Sequence, residues 1–208
     1  MTGFKNSLDI KENSKCAIIV AHPDDETLWA GGLMLMHPGA QWTVITVCRK
    51  SDPDRAPKFL KAVEALNASG AMGDLDDGPE QIPLAERKIQ DTIMELLPSD
   101  TYNLIVTHGT SGEYTRHLRH EETARAVLGL WNSGRLQAEQ VLSFAYEDGG
   151  KQYLPRPDQN ADLTIELPDD VWRKKYGIIT GIYGFGEDSF EAMTTPRQEA
   201  FRCFRATS

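Results

Sequence analysis

Cys16-Ala17-Ile18-Ile19-Val20-Ala21-His22-Pro23-Asp24-Asp25-Glu26 passes from an unbroken apolar run straight into an imidazole and three carboxylates. A strand with one wet face alternates apolar and polar residues, so Cys16 to Val20 reads as a strand buried on both faces. The polar cluster falls at its carboxyl end. Thr27 to Met36 then reads as a helix, in which Gly31-Gly32 lowers propensity but permits close packing. Charge crowded at the end of a buried strand is unfavourable unless something pairs with it.

The alternation continues outward from this stretch. Gln41 to Val47 is rich in β-branched residues and reads as a second strand, and Pro57 to Asn67 as a helix with Phe59, Leu60, Val63 and Leu66 on one stripe. Ala71 to Leu75 reads as a short third strand. Leu84 to Leu97 reads as an amphipathic helix ended by Pro98, and Asn103 to Thr107 as a central strand. His120 to Trp131 follows as a helix and Val141 to Tyr146 as a strand. Strand and helix in turn imply an α/β fold: a mostly parallel, doubly wound sheet with right-handed crossovers and helices on both faces. Beyond residue 150 the pattern loosens. Ala161 to Leu167 alternates like an edge strand, Asp169 to Ile179 has helical character, and Gly181 to Gly186 reads as a loop. Residues 1–14, polar and aperiodic, read as a loose arm or lid, and 1–208 as one domain.

With 208 residues, 40% hydrophobic and 25% charged, the chain can bury a core without staples. A formal net charge of -9 argues against a nucleic-acid partner, which needs clustered Lys and Arg, and gives no attraction to anionic membranes. No apolar run approaches the roughly 18 residues that span a bilayer. No signal peptide is visible, and Cys16, Cys48 and Cys203 are too few and scattered for a disulfide framework. The expected location is the cytoplasm.

In open α/β sheets, sites form beyond the carboxyl ends of strands where strand order reverses, often between the first and fourth strands. Here the loop after the first strand holds His22, Asp24, Asp25 and Glu26, and the loop after the fourth holds His108, His117 and His120. His nitrogen and Asp oxygen are good zinc ligands, and a catalytic zinc keeps three protein ligands and one open position. His22, Asp25 and His120 are the best three. Asp24 is then free to take a proton from a water activated by the metal. His117 is placed to serve the oxyanion and the departing amine, with Tyr114 as a second donor. Singly, each has a plainer reading. The carboxylates cap a helix, His117 and His120 are surface residues, His108 is a structural group, and Tyr114 is an exposed loop residue. Their convergence at two facing loops favours the metal.

The intact Ala21-His22-Pro23-Asp24-Asp25-Glu26 stretch resembles the signature of the PIG-L/LmbE-like family of zinc-dependent N-acetylglucosamine de-N-acetylases. So does Thr107-His108-Gly109, then Gly112-Glu113-Tyr114, leading into His117-Leu118-Arg119-His120. The resemblance runs from about Cys16 to Val127 and implies a Rossmann-like fold. It also implies His22, Asp25 and His120 as ligands of Zn2+ or another divalent metal, Asp24 as general base, and His117 as oxyanion partner. An arginine of the family after the second strand is matched by Arg55 or, by helix register, Lys58. An acidic residue that binds a sugar hydroxyl is matched by Asp76 or Asp77. Leu118-Arg119 replaces the family's Pro-Asp, which raises the question of what charges His117, with Glu121 or Glu122 as substitutes.

The expected substrate is a small amino-sugar conjugate that loses its acetyl group, and a homo-oligomer is compatible with the sequence. Two rivals stay open: hydrolysis of another amide or ester on a natural-product scaffold, and a catalytically impaired sugar-binding protein, for which Arg119 is the best support.

Overall fold

The computed structural model describes residues 8–205. Its strands are β1 (Lys15–Val20), β2 (Gln41–Cys48), β3 (Ala68–Leu75), β4 (Thr101–Thr107), β5 (Gln137–Phe144), β6 (Tyr146–Glu147), β7 (Arg156–Pro157), β8 (Leu163–Glu166) and β9 (Gln198–Arg205). Its helices are α1 (Asp25–Met36), α2 (Arg55–Ala65), α3 (Glu86–Leu96), α4 (Leu118–Asn132), α5 (Asp169–Gly177) and α6 (Phe190–Thr194), with a π-helical turn at Ile178–Ile182.

Seven strands form one sheet in the order β3-β2-β1-β4-β5-β9-β8. The first five are parallel, and β9 runs antiparallel to both β5 and β8. The apolar run of β1 is buried on both sides. Cys16, Ile18 and Val20 join the core that holds Trp29 and Phe59 under α1 and α2, while Ala17, Ile19 and Ala21 join Ile89 and Val127 under α3 and α4. The doubly wound fold expected from the alternation is present. Because β1 lies between β2 and β4, the strand order reverses there, and the loops after β1 and β4 open onto one crevice.

The C-terminal third is more ordered than its sequence suggests. Ala161 to Leu167 does supply the edge strand, β8, but β9 is inserted inside it. Charges hid β9 from the sequence pattern: Glu199, near its start, is fully buried. Lys175 of α5 pairs with the Glu199 carboxylate at 2.7 Å, and the amides of Gly32 and Leu33 donate to it at 2.7 Å each. A charge whose partners are all in place can sit in a core, although it reads as surface along the chain. The Gly31-Gly32 pair has the packing role expected of it, because a Cβ at Gly32 would collide with Leu167 and Glu199. The segment expected as a loop from Gly181 begins inside the π-helical turn. The arm expected over 1–14 falls outside the described residues up to residue 7; beyond it, Leu8 and Ile10 pack against the core.

Candidate active site

Three electron-pair donors meet at the crevice. His22 Nδ1 lies 3.2 Å from Asp25 Oδ2 and 3.2 Å from His120 Nε2, and His120 Nε2 lies 3.4 Å from Asp25 Oδ2. All three side chains are at least largely buried, with 14%, 6% and 1% exposure for His22, Asp25 and His120. Their elements explain the meeting: His22 lies in the short loop after β1, Asp25 opens α1, and His120 lies in the first turn of α4. A tetrahedron with bonds of about 2.0–2.1 Å, the zinc–nitrogen and zinc–oxygen range, has edges of about 3.3–3.4 Å. The observed triangle has that size.

The groups behind the trio fix which atoms point inward. His120 Nδ1 donates to Glu113 Oε2 at 2.6 Å, which leaves a lone pair on Nε2 facing the other two. His22 Nε2 lies 3.2 Å from Asp77 Oδ1, close enough to pair in charge but off the line of a hydrogen bond. Asp25 Oδ1 accepts from the Trp29 indole at 3.2 Å, and Asp25 Oδ2 accepts the His22 amide at 3.0 Å. An imidazole backed by a carboxylate is the usual support of a metal-ligating histidine. Lone pairs aimed at one another call for a cation. In line with that, Asp25 and Asp77 overcome the opposing effect of burial and raise His22 to about 9, so that a proton can fill the cation's role.

His108 is not free to join. The Ala21 amide donates to its Nε2 at 2.9 Å, and its Nδ1 faces Glu113 Oε2 at 3.0 Å. Two influences conflict at this ring. Burial lowers its proton affinity, whereas Glu113 and Asp25 raise it to about 10. The geometry is that of the neutral ring protonated at Nδ1, because an amide aimed at Nε2 leaves no place for a second proton. Asp25, His108 and His120 also cluster, as do His22, His117 and His120, but the first set would have to break the Ala21 contact.

Asp24 occupies the cap position of α1, yet its side chain caps nothing. Its carboxylate turns away to accept from Arg55 Nη1 at 2.5 Å. Its backbone sits at φ 104°, a region that side chains rarely adopt. Glu26 Oε2 holds that conformation by accepting the Asp24 amide at 3.0 Å, and the Tyr183 hydroxyl holds Glu26 Oε1 at 2.7 Å. Burial first, then the neighbouring Asp25, raise the Asp24 carboxyl well above its usual value, and Arg55 opposes them.

Of the two basic residues proposed from sequence, Arg55 reaches the site and Lys58 pairs with Asp54 at 2.8 Å. Of the two acidic ones, Asp77 is present but already engaged. Arg49 donates to its Oδ2 at 2.5 and 2.9 Å and Gln81 to its Oδ1 at 3.2 Å, so it positions His22 and is not a vacant acceptor. Arg119 is absent from the site. It is buried and points the other way, donating to the carbonyls of Asp76 at 2.6 Å and Ile82 at 2.7 Å and pairing with Glu122. Glu121 pairs with Arg116 at 2.5 Å. Neither Glu121 nor Glu122 therefore backs His117. The carboxylate behind the histidines is Glu113, whose role the sequence did not reveal, because it lies in the irregular loop between β4 and α4, where spacing to His120 does not say which side chains meet.

His117 stacks on His120 with ring centroids 4.5 Å apart, and its buried Nδ1 has no partner among the described residues. Burial, then His120 and His22, lower it to about 3, so it is neutral near pH 7. Tyr114 stands edge-on to His120 at 5.4 Å, and burial with the surrounding carboxylates keeps its hydroxyl protonated. A cleft of about 200 Å³ opens onto these groups, lined among others by Asp24, Arg55, Tyr114, His117 and Glu191. A larger hollow of about 380 Å³ lies at the other end of the sheet and holds none of them. No helix of the described residues is long and apolar enough to cross a membrane.

Residues 17–131 match the family described as PIG-L: GlcNAc-PI de-N-acetylase. The chain is 26% identical over 218 residues to the 1D-myo-inositol 2-acetamido-2-deoxy-alpha-D-glucopyranoside deacetylase of Corynebacterium glutamicum strain R, across 83% of this chain and 74% of that protein. It is 23% identical over 129 residues to protein L374 of Acanthamoeba polyphaga mimivirus, across 54% of this chain, and spans only 56% of that relative's length. Among solved structures, GalB, the 4-carboxy-2-hydroxymuconate hydratase from Pseudomonas putida KT2440, superposes with a TM-score of 0.66 at 16% identity, covering 94% of this chain and 98% of that one. A deacetylase of the teicoplanin biosynthesis pathway superposes with a TM-score of 0.63 at 15% identity, covering 93% and 99%. At such identities the likeness is one of fold, and that fold carries both a hydratase and deacetylases.

Proposed function

Because the chain belongs to the PIG-L family of GlcNAc-PI de-N-acetylases, we propose that it is a divalent-metal-dependent hydrolase that removes the acetyl group from an N-acetylglucosaminyl, or similar N-acyl amino-sugar, conjugate. The observation that carries the reading is the inward triangle of His22 Nδ1, Asp25 Oδ2 and His120 Nε2, with edges of 3.2, 3.2 and 3.4 Å. Zn2+ fits this donor set. When bound, such an ion polarises a carbonyl oxygen and makes a water acidic enough to ionise near neutral pH.

The remaining steps belong to the chain. Asp24 is outside the triangle, and its Oδ1 is not tied to Arg55. A carboxyl made basic by burial accepts a proton from the attacking water efficiently near neutral pH. The arginine holds the carboxylate in place and returns it to the charged form between turnovers. His117 is neutral, so it acts as a hydrogen-bond donor to the oxyanion that develops on the acetamide carbonyl. Tyr114, also protonated, is the second donor on that side. The proton taken by Asp24 is the one delivered to the departing amine, since no histidine of the cleft is charged in readiness for that task once an ion replaces the proton on His22. Water and amide thus give acetate and amine with protons balanced. Arg119, the residue that favoured a silenced site, faces away from the histidines, which supports turnover.

Metal analysis of the purified protein, together with acetate release from a panel of N-acetylglucosaminyl conjugates and other N-acyl and ester substrates, tests the reading. Loss of turnover in Asp24→Ala with metal content retained is expected. A protein that binds no divalent metal, or an undiminished Asp24→Ala, overturns it. Preference for an ester or a sugar-free amide would keep the chemistry and replace the substrate.

A further inference from the structure

We propose that Glu191 is a specificity-determining residue of the cleft, accepting hydrogen bonds from substrate hydroxyls and turning away anionic conjugates; the proposal rests on the hydrolase reading above. The charge pattern of the cleft carries it. Both arginines there are already engaged, Arg55 by Asp24 at 2.5 Å and Arg49 by Asp77 at 2.5 Å. Asp25 faces the metal triangle. Glu191 alone of the cleft carboxylates has neither a hydrogen bond nor an ion pair among the described residues, although it lines the same cleft as Asp24, His117 and Tyr114.

The backbone that carries this carboxylate is held in place. Its backbone carbonyl accepts twice from Thr195, at 3.0 Å from the amide and 2.8 Å from the hydroxyl. The preceding Phe190 packs edge-on against Tyr114 at 5.2 Å. An unpartnered carboxylate on an anchored backbone is suited to paired donors such as neighbouring sugar hydroxyls, or to an ammonium. A carboxylate or phosphate on the substrate would meet Glu191 with no free guanidinium to offset it, and like charges at close range are unfavourable. Glu191 lies outside residues 17–131, the stretch that matches the family. The preference it sets is therefore a property of this chain's C-terminal segment, separate from the machinery on the β1 and β4 loops.

The test compares wild type, Glu191→Gln and Glu191→Ala of the metal-loaded protein. The probes are methyl 2-acetamido-2-deoxyglucoside, its deoxy analogues and the matching uronate. Both KM and kcat are measured, and binding by calorimetry. Loss of a hydrogen bond to a charged group predicts a KM or Kd about tenfold or more higher in Glu191→Ala for the hydroxylated sugar, with kcat little changed. At least one deoxy analogue should bind wild type as weakly as the variant binds the parent sugar and be insensitive to the substitution. The uronate should bind more tightly to Glu191→Gln than to wild type. Unchanged affinity for the sugar, no deoxy analogue whose loss coincides with that of Glu191, or equal uronate binding in wild type and Glu191→Gln overturns the proposal. Selective sugar binding without acetate release would leave the Glu191 assignment standing and remove the hydrolase reading.

Discussion

Glu113→Gln tests whether the histidines are set for a metal by the carboxylate behind them. Glu113 Oε2 accepts from His120 Nδ1 at 2.6 Å and faces His108 Nδ1 at 3.0 Å, while Oε1 accepts the Gly109 amide at 2.8 Å. Glutamine has one oxygen for these two duties. If that oxygen faces the histidines, the new NH2 meets the Gly109 N–H, donor against donor. If the amide flips, its NH2 asks for a lone pair on His120 Nδ1 and moves that ring's proton to Nε2, the atom facing His22 and Asp25. The first arrangement keeps the ligating tautomer at the cost of a donor–donor clash that loosens the support, and the second disfavours that tautomer outright. Loss of such a backing partner weakens metal binding about 10–100-fold, or about 1.4–2.7 kcal/mol. Competition for zinc against a chromogenic chelator at fixed pH measures it, with circular dichroism to show that the variant is folded. Zinc affinity equal to wild type in a folded variant would refute the argument that Glu113 selects the tautomer.

Three further outcomes follow from the same structure. In Tyr183→Phe, Glu26 loses a hydroxyl at 2.7 Å and with it part of the hold on the strained Asp24 backbone; kcat should fall on the order of tenfold or more while bound metal is unchanged, since small misplacements of a reacting group are expensive. Lys175→Met strands the buried Glu199 carboxylate and should lower stability by about 3 kcal/mol in denaturant titrations, with Glu199→Gln in the same chain restoring part of it. His117 is lowered to about 3 by burial and its histidine neighbours, whereas an unfolded histidine titrates at about 6.5, so below that pH the unfolded chain takes up a proton that the folded one refuses. The metal-free protein should therefore lose stability as pH falls from 6.5 towards 3, and His117→Gln should make that loss shallower in denaturation midpoints recorded against pH; an identical slope in the variant counts against a buried, neutral His117.

Much of this molecule was legible along the chain because its central strands are buried on both faces. Continuous apolar runs at Cys16–Val20 and Asn103–Thr107 announced a parallel sheet, and the right-handed crossover rule then placed their polar loops at one crevice. His22, Asp25 and His120 could be chosen from residue type and loop position alone, since both are local properties. Strand β9 could not, since its buried Glu199 looks like surface until Lys175 and two backbone amides of α1 are brought to it.

The finer division of labour was likewise decided only by the tertiary structure. Glu113 backs His120, Asp77 stands behind His22, and Arg119 leaves the site to hold the carbonyls of Asp76 and Ile82. Glu191 reaches the cleft from a segment that the motifs never touch. The sequence determined which donor atoms exist and at which strand ends they lie. Which carboxylate fixes which imidazole depends on side chains from distant elements competing for the same few hydrogen bonds, and that competition is resolved only when the chain is folded.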